Sequence, residues 1–294
     1  MKIHQKKIAG ILIALGCIAL AIALATSSFK VNDIFRTNSP YVEKSYEVSK
    51  DEVNGLEVDL SNTAISILPS NDDKIHITYF ENNELSYKFN VKSNRVLSIT
   101  DSYDRNILNM FGISLTAEEI YCEILLPTEH FDKIDIKTSN AKITIEDLIV
   151  PGDLTLKASN ESISLTNVTA SEDIKVTTSN ASIKGKNIIG DSVDFKTSNA
   201  RIEADNVSAV DKLLLQTSNS SIVVDDVIAG NRIELKTSNA RISGTIRDAM
   251  DNYSIESSTS NGRNNLPNTN SGNKKLVVRT SNSNIDIEFS NKQD

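Results

Sequence analysis

The chain repeats the triplet Thr-Ser-Asn, or a close variant of it, at nearly constant intervals. The asparagines of these triplets are Asn140, Asn160, Asn180, Asn199, Asn219, Asn239, Asn261 and Asn282, with steps of 20, 20, 19, 20, 20, 22 and 21 residues. A fixed period of this length is typical of a solenoid, in which each repeat is one coil and only neighbouring coils bury its apolar face.

Aligning the repeats on the asparagine reveals apolar columns that indicate strands. Aliphatic residues stand six and four positions before it, as at Ile134 and Ile136, and a threonine usually stands two before it, as at Thr138. These positions share one face of an extended strand. After the asparagine the apolar column resumes at an odd offset, as at Ile143, so the chain must bend in between. We interpret Ser-Asn and the following small residue as this corner, because Asn tolerates left-handed backbone angles.

The columns predict an all-β fold, a parallel β-solenoid (β-helix or β-roll) with coils of about 20 residues, preceded by one N-terminal membrane helix. Stacked amides can bond from coil to coil. The threonine column shares the parity of the core, so we expect its side chains to point inward. This argues against an ice-binding surface, in which ranks of outward threonines match the lattice of the ice crystal. The predicted corner ladder consists of Asn62, Asn140, Asn160, Asn180, Asn199, Asn219, Asn239 and Asn282.

Departures from the period divide the chain into six parts. Strand-like runs at Lys74–Phe80, Leu85–Val91, Val96–Thr100 and Glu119–Leu126 lack the repeat and predict hairpins or irregular coils that cap the stack. The predicted parts are a membrane anchor or signal sequence (1–27), a linker (28–55), an N-terminal coil with capping hairpins (56–131), the regular repeats (132–248), a mobile Asn/Ser/Gly-rich loop (249–275) and a terminal repeat (276–294).

The sequence predicts a membrane segment at the N-terminus. Ile8–Ala25 is an uninterrupted run of 18 apolar or small residues that follows Lys2, Lys6 and Lys7. This length is at the lower limit for a bilayer span, and the positive charges place the N-terminus in the cytoplasm and the rest outside. We expect a retained single-pass anchor in the cell membrane; cleavage after Ala25, which would release a secreted protein, stays open. Lipoprotein processing at Cys17 fits poorly, because eight apolar residues follow it.

Little in the sequence indicates catalysis. The histidines His4, His76 and His130 do not lie at metal-ligand or triad spacing from one another, and nucleotide-binding and calcium-binding motifs are missing. The net charge of -8 argues against nucleic acid as a partner. We therefore predict a protein that is not an enzyme and has no cofactor, metal or catalytic residue, with Cys122 as a buried free thiol.

Basic residues recur at two repeat positions and form the candidate binding residues. Lys137, Lys157, Lys196 and Lys236 lie three residues before the asparagine, and Lys142, Arg201 and Arg241 lie two after it. Columns of cations could bind an anionic glycan such as a teichoic acid, a cell-wall polymer; alternatively, they only keep the surface soluble. A polysaccharide lyase would need a compact acid cluster beside a base, which the columns do not show.

The strand, the Ser-Asn corner, the small residue, the alternating Ile/Val strand and the Asn/Asp-rich turn resemble the bacterial putative-adhesin family of β-strand repeat proteins, an adhesin-like domain. The resemblance covers about residues 50–290 and is strongest over 132–246. It implies a parallel β-solenoid in the bacterial envelope, and it supplies no catalytic residue.

Two functions therefore remain open. In the first, the chain is a non-enzymatic adhesin-like binding or scaffold module at the cell surface that contacts a wall polymer or another envelope protein. In the second, it is the extracytoplasmic part of an envelope-stress regulatory complex whose anchor contacts a membrane partner. A polysaccharide-acting enzyme is a distant third.

Overall fold

The computed structural model describes residues 40–103 and 120–290, and these residues are almost entirely strands and turns. The predicted membrane segment Ile8–Ala25 lies outside the described residues. Within them, we find no helix that combines the length and the apolar character needed to cross a membrane.

The strands fall into three groups along the chain. The N-terminal group contains β1 (Val42–Ser49), β2 (Gly55–Leu60), β3 (Ala64–Pro69), β4 (Lys74–Glu81), β5 (Leu85–Val91), β6 (Val96–Tyr103) and β7 (Tyr121–Leu126). The regular repeats contain β8 (Lys133–Thr138), β9 (Ile143–Val150), β10 (Asp153–Lys157), β11 (Ile163–Ala170), β12 (Ile174–Thr177), β13 (Ile183–Lys196), β14 (Ile202–Gln216), β15 (Ile222–Ala229), β16 (Arg232–Lys236) and β17 (Ile242–Ile246). The last group contains β18 (Tyr253–Ser258), β19 (Lys274–Arg279) and β20 (Ile285–Phe289), and short 3-10 helices lie at Lys50–Glu52 and Met250–Asn252.

Each regular coil contains one strand before the Ser-Asn corner and one after it. The strands before the corner stack in parallel into one sheet, here called wall A, which contains β2, β6, β8, β10, β12, the second halves of β13 and β14, β16, β18 and β19. The strands after the corner form wall B, which contains β3, β7, β9, β11, the first halves of β13 and β14, β15, β17 and β20.

Equivalent residues of successive coils lie over one another. Leu154 pairs with Ile134 on one side and with Ile174 on the other, and Ile163 lies between Ile143 and Ile183 in the same way. The aliphatic columns of both walls are buried in one continuous core. Each coil therefore satisfies its backbone groups through its neighbours, as strands about 4.8 Å apart do. The predicted all-β, parallel-rich, solenoid-like fold is confirmed.

The order of coils in space differs from the order in the sequence at the N-terminal end. The first coil, β2 and β3, packs against β8 and β9 on one side and against β6 and β7 on the other. The coil of β6 and β7, which follows β2 and β3 in the sequence, is thus the outer one. Antiparallel strands cover it, with β5 on β6 and β4 on β7, and β1 continues the sheet beyond β4. Because β1 begins at Val42, the folded part extends into the segment 28–55 predicted as a linker, which corrects that boundary.

At the C-terminal end, too, the order of coils in space differs from their order in the sequence. β19 and β20 pair directly with β16 and β17, whereas β18 precedes β19 in sequence and lies outside it. The segment 249–275, predicted to be a loop, therefore contains a strand and the outermost coil. The outer edge of β18 is covered by its own connection, since Ile255 and Thr269 exchange two backbone hydrogen bonds of 3.0 Å.

Aromatic residues are concentrated at the two ends of the stack. Tyr46 on β1 stacks on Phe89 of β5 with ring centroids 4.5 Å apart, and Tyr79 lies 4.9 Å from Phe89. At the other end Tyr253 lies 5.9 Å from Phe289. A terminal coil has a neighbour on one side only, so large rings cover the apolar area that another coil would bury.

Candidate functional site

The asparagines of the corners form one continuous column on the outside of the molecule. Each side-chain Nδ2 donates to the Oδ1 of its neighbour over 2.6–2.8 Å, and the donors all point toward the N-terminal end. In spatial order the column runs through Asn62, Asn140, Asn160, Asn180, Asn199, Asn219, Asn239, Asn282 and Asn261, with the last two exchanged relative to the sequence.

The reason proposed for asparagine at the corner was wrong in one respect. The ladder asparagines have no left-handed backbone angles; in five of the regular coils a residue seven positions later, where wall B bends, has a positive φ angle. Asn167, Asn187 and Asn206 occupy that bend with φ of 55°, 54° and 51°. Their amides form a second ladder through hydrogen bonds of 2.7–2.9 Å that begins at Asp147. The aligned repeats show Asn or Asp seven residues after the corner asparagine, and this pattern could have predicted the second ladder.

The threonine column points inward, as its parity predicted. Thr197 and Thr217 are each 2% exposed, and their hydroxyls donate to the carbonyl oxygens of Ala181 and Ala200 at 3.1 and 3.0 Å. The threonines therefore tie the inner side of one corner to the next coil, which satisfies a carbonyl that bends away from the strand ladder.

The candidate cations three residues before the asparagine lie on wall A in one column. We call it the basic column; it runs in register through Lys137, Lys157, Thr177, Lys196, Gln216, Lys236 and Arg279. Lys137 forms a 3.0 Å ion pair with Asp59 at one end, and Lys236 pairs with Glu234 near the other. Lys157 and Lys196, in the middle, are exposed and form no direct ion pair in the described part of the chain, although Lys196 lies close enough to Asp194 to interact with it electrostatically.

The other three candidate cations do not join this column. Lys142, Arg201 and Arg241 lie beyond the corner, and serines separate them on the intervening coils. Arg201 forms a 3.1 Å ion pair with Glu203, and Arg241 pairs with Asp286. The structure therefore divides the candidate set between two sides of the molecule and leaves the cations beyond the corner largely neutralised.

The two walls carry opposite charge on their outward sides. Over the seven coils from β8 to β20, without β18, the outward positions of wall A hold ten basic and five acidic residues: Lys133, Lys137, Lys157, Lys175, Lys196, Lys212, Arg232, Lys236, Lys275 and Arg279 against Asp135, Asp153, Asp173, Asp194 and Glu234. The outward positions of wall B, four and six residues after the asparagine, hold two basic and six acidic residues: Lys184 and Lys186 against Glu146, Glu203, Asp205, Asp225, Asp286 and Glu288. Over these seven coils wall A is thus a basic surface on an acidic protein, whereas β2 and β18 add the acids Glu57, Asp59 and Glu256.

A model of the Toastrack DUF4097 family matches residues 53–294. The chain belongs to this family. The match begins after β1, so it covers the stack of coils and the rest of the N-terminal cap and leaves out the residues before position 53. No curated protein matches this Toastrack chain significantly.

Three solved structures are similar to this Toastrack chain. A protein described as a putative adhesin from Bacteroides fragilis is 13% identical, with a TM-score of 0.51, and the match covers 85% of this chain and 98% of that one. Another putative adhesin, from Parabacteroides distasonis, is 13% identical over 84% and 97% of the two chains, with a TM-score of 0.33. A putative cell adhesion protein from Clostridium sporogenes is 11% identical over 85% and 100%, with a TM-score of 0.28. At this identity the first of them supports the fold alone.

The cysteine and the histidines in the described part of this Toastrack chain are buried or contact neighbouring backbone and side-chain groups. Cys122 is a buried free thiol on β7, and burial raises the pKa of its thiol to about 12. His130 Nε2 lies 2.6 Å from the carbonyl oxygen of Val53. His76 lies between Asp72 and Glu47 on the N-terminal cap, and its hydrogen bond to Asp72 raises its pKa. His4 lies outside the described residues, among which no three His, Cys, Asp or Glu converge as metal ligands.

Proposed function

We propose that this Toastrack chain is a non-enzymatic, adhesin-like binding module of the cell envelope. The observation that carries the proposal is wall A, a long parallel sheet whose outward side chains repeat in register from coil to coil. Such a surface suits an extended partner, because it offers equivalent contacts at regular intervals rather than one concave site. The likeness in fold to the Bacteroides fragilis protein described as a putative adhesin agrees with this function.

We further propose that Ile8–Ala25 anchors the module in the cell membrane, with Lys2, Lys6 and Lys7 in the cytoplasm and the stack of coils outside. The first described strand begins at Val42. The residues between Ala25 and Val42 then separate the module from the bilayer, and the N-terminal cap is the end of the stack nearest the membrane.

The proposal is tested by incubating the full-length chain, in non-ionic detergent, with detergent-washed bacterial envelopes and sedimenting them. We expect the chain to sediment with the envelopes in a saturable manner. A chain that stays in the supernatant at all envelope concentrations would overturn the proposed function. For the location, protease added to intact cells should degrade a C-terminal epitope tag, whereas a tag at the N-terminus should be protected.

A further inference from the structure

The charge of the molecule is unevenly distributed, and the distribution is a property of the fold. The chain has a net charge of -8, yet over the seven coils from β8 to β20, without β18, the outward positions of wall A hold twice as many basic as acidic residues. At the positions four and six residues after the asparagine on wall B, acidic residues exceed basic ones three to one, and Arg201 and Arg241 beside the corner pair with two of these acids, Glu203 and Asp286. A polyanion that approaches these seven coils is therefore attracted more strongly to wall A than to wall B.

The basic column runs along the stack of coils, across the strands of wall A. From Lys137 to Arg279 it crosses six rungs of about 4.8 Å, and no acid occupies it along this length. Its cations lie one or two rungs apart, which is a spacing of about 5–10 Å. A single extended chain with one charge in each repeating unit would meet cations at comparable intervals.

Neutral hydrogen-bonding groups run beside the basic column. The serines that precede the ladder asparagines, such as Ser159 and Ser179, are exposed next to it, and the amides of Asn160 and Asn180 follow at the corner. Each amide in the interior of the ladder donates one hydrogen to its neighbour, so its second N–H is free of the ladder. Hydroxyl and amide groups of this kind suit the hydroxyls of a sugar or a polyol.

We propose that wall A binds a linear polymer of polyol-phosphate units, laid along the basic column across the strands. This inference rests on the proposed function and names its ligand and its face. Lysine binds phosphate as a compact point charge, and the adjoining serines and asparagines contact the polyol hydroxyls. A double-stranded nucleic acid fits less well, because its broad charged surface would also meet the acids at Asp153, Asp173 and Asp194 on wall A.

The test uses the full-length chain in non-ionic detergent and lipid-free poly(glycerol phosphate) as the probe, with binding measured by calorimetry at low salt. The variant carries Lys157→Gln and Lys196→Gln, which remove the two central unpaired cations. We expect its affinity to fall about 30-fold, since each basic side chain near an anionic surface contributes roughly fivefold. The affinity of the unchanged chain should fall as salt is added.

The matched control carries Lys184→Gln and Lys186→Gln on wall B. It changes the net charge by the same amount, and we expect its affinity for the probe to stay within about twofold of the unchanged chain. Equal losses in the two double variants would overturn the assignment to wall A. Binding of double-stranded DNA as tightly as the probe would overturn the assignment to a single extended polymer.

The envelope sedimentation assay separates this inference from the proposed function. If the unchanged chain binds envelopes but not poly(glycerol phosphate), the ligand is wrong and the binding module stands. If it binds neither, both fail. Envelope binding that falls with Lys157→Gln and Lys196→Gln, but not with the control pair, supports both.

Discussion

At the scale of single residues, asparagine has two separate roles in each coil. At the corner it links coils through its side chain with ordinary backbone angles, and seven residues later it adopts a left-handed backbone angle as well. The two positions therefore respond differently to the same substitution. Glycine can replace the backbone role but not the side-chain role, and alanine can replace neither.

The bend position is tested at Asn187. Both Asn187→Gly and Asn187→Ala remove the hydrogen bonds to Asn167 and Asn206. Only alanine adds the steric cost of a left-handed angle, so we expect Asn187→Ala to be about 1 kcal/mol less stable than Asn187→Gly in urea unfolding. Equal stabilities would contradict the left-handed angle at this position.

The corner position is tested at Asn199 and Asn261. Asn199 takes part in two ladder hydrogen bonds, whereas Asn261 at the outer end takes part in one. We expect Asn199→Ala to lower the free energy of unfolding by about 1–2 kcal/mol and Asn261→Ala by roughly half as much. A larger loss at Asn261 would mean that the ladder contributes little and that the outermost coil depends on something else.

His76 gives the N-terminal cap a pH dependence. Its hydrogen bonds to Asp72 and Glu47, of 2.9 and 3.2 Å, raise its pKa above the ordinary 6.5. Protonation then favours the folded state, so this contribution is complete below pH 6.5 and is lost as the pH rises through the raised pKa. We expect the melting temperature of the unchanged chain, relative to His76→Gln, to decrease between about pH 6 and pH 8. A constant difference over this range would show that the cap does not depend on the charge of His76.

At the scale of the coil, a large aromatic residue in the core requires the smallest residue opposite it. Phe195 is fully buried on wall A, and a Cβ on Gly185 of wall B would lie 2.7 Å from its Cε2. We expect Gly185→Ala to destabilise the fold by about 1–3 kcal/mol through this overlap. Phe195→Leu alone should also destabilise, because it leaves a cavity.

The double variant with Gly185→Ala and Phe195→Leu tests whether the effects of the two substitutions depend on each other. With leucine at position 195 the methyl group at position 185 has space, so Gly185→Ala should cost less in the Phe195→Leu background than in the unchanged chain. The four chains are compared by urea unfolding. Strictly additive losses would mean that Phe195 yields to the methyl group without strain.

The coil is also the scale at which the sequence was most informative. The constant spacing of the asparagines predicted the register, because residues such as Leu154 and Ile174 must then lie over one another. The inward direction of Thr197 followed from its parity with the core. The pairing of Gly185 with Phe195 did not follow, since it depends on which coils face each other across the core.

At the scale of the whole molecule, the exchanged order of the terminal coils could not be predicted from the repeat. Asn261 and Asn282 belong to nearly identical motifs, and either could follow Asn239 in the ladder. Tertiary packing selects Asn282, whose coil provides the full strands β19 and β20. The opposite charges of the two walls were likewise visible only after each strand was assigned to its wall.

In this spatial order the first coil of the sequence, β2 and β3, and the last, β19 and β20, lie inside the stack. The coil of β6 and β7 and the coil of β18 lie at its two ends. An open parallel stack would otherwise present unpaired strand edges that recruit further chains. At the C-terminal end, β18 and its connection cover β19, and the side-chain amide of Asn265 bonds the backbone of Ile287 on β20 at 2.8 and 3.1 Å. The coil of β18 is therefore expected to keep the molecule monomeric.

This expectation is tested by removing residues 250–272 and joining Ala249 to Asn273 through a short glycine linker. The two ends are close, since Lys274 Nζ lies 2.7 Å from Asp248 Oδ2. β19 and β20 then keep their partners β16 and β17, so the variant should fold, but its exposed edges should cause concentration-dependent self-association, measured by light scattering after gel filtration. Truncation after Asn273 is the comparison: it removes β19 and β20, leaves β18 without a partner and should lower stability as well. A cap-deleted variant that stays monomeric at all concentrations would show that the outermost coil does not protect an edge.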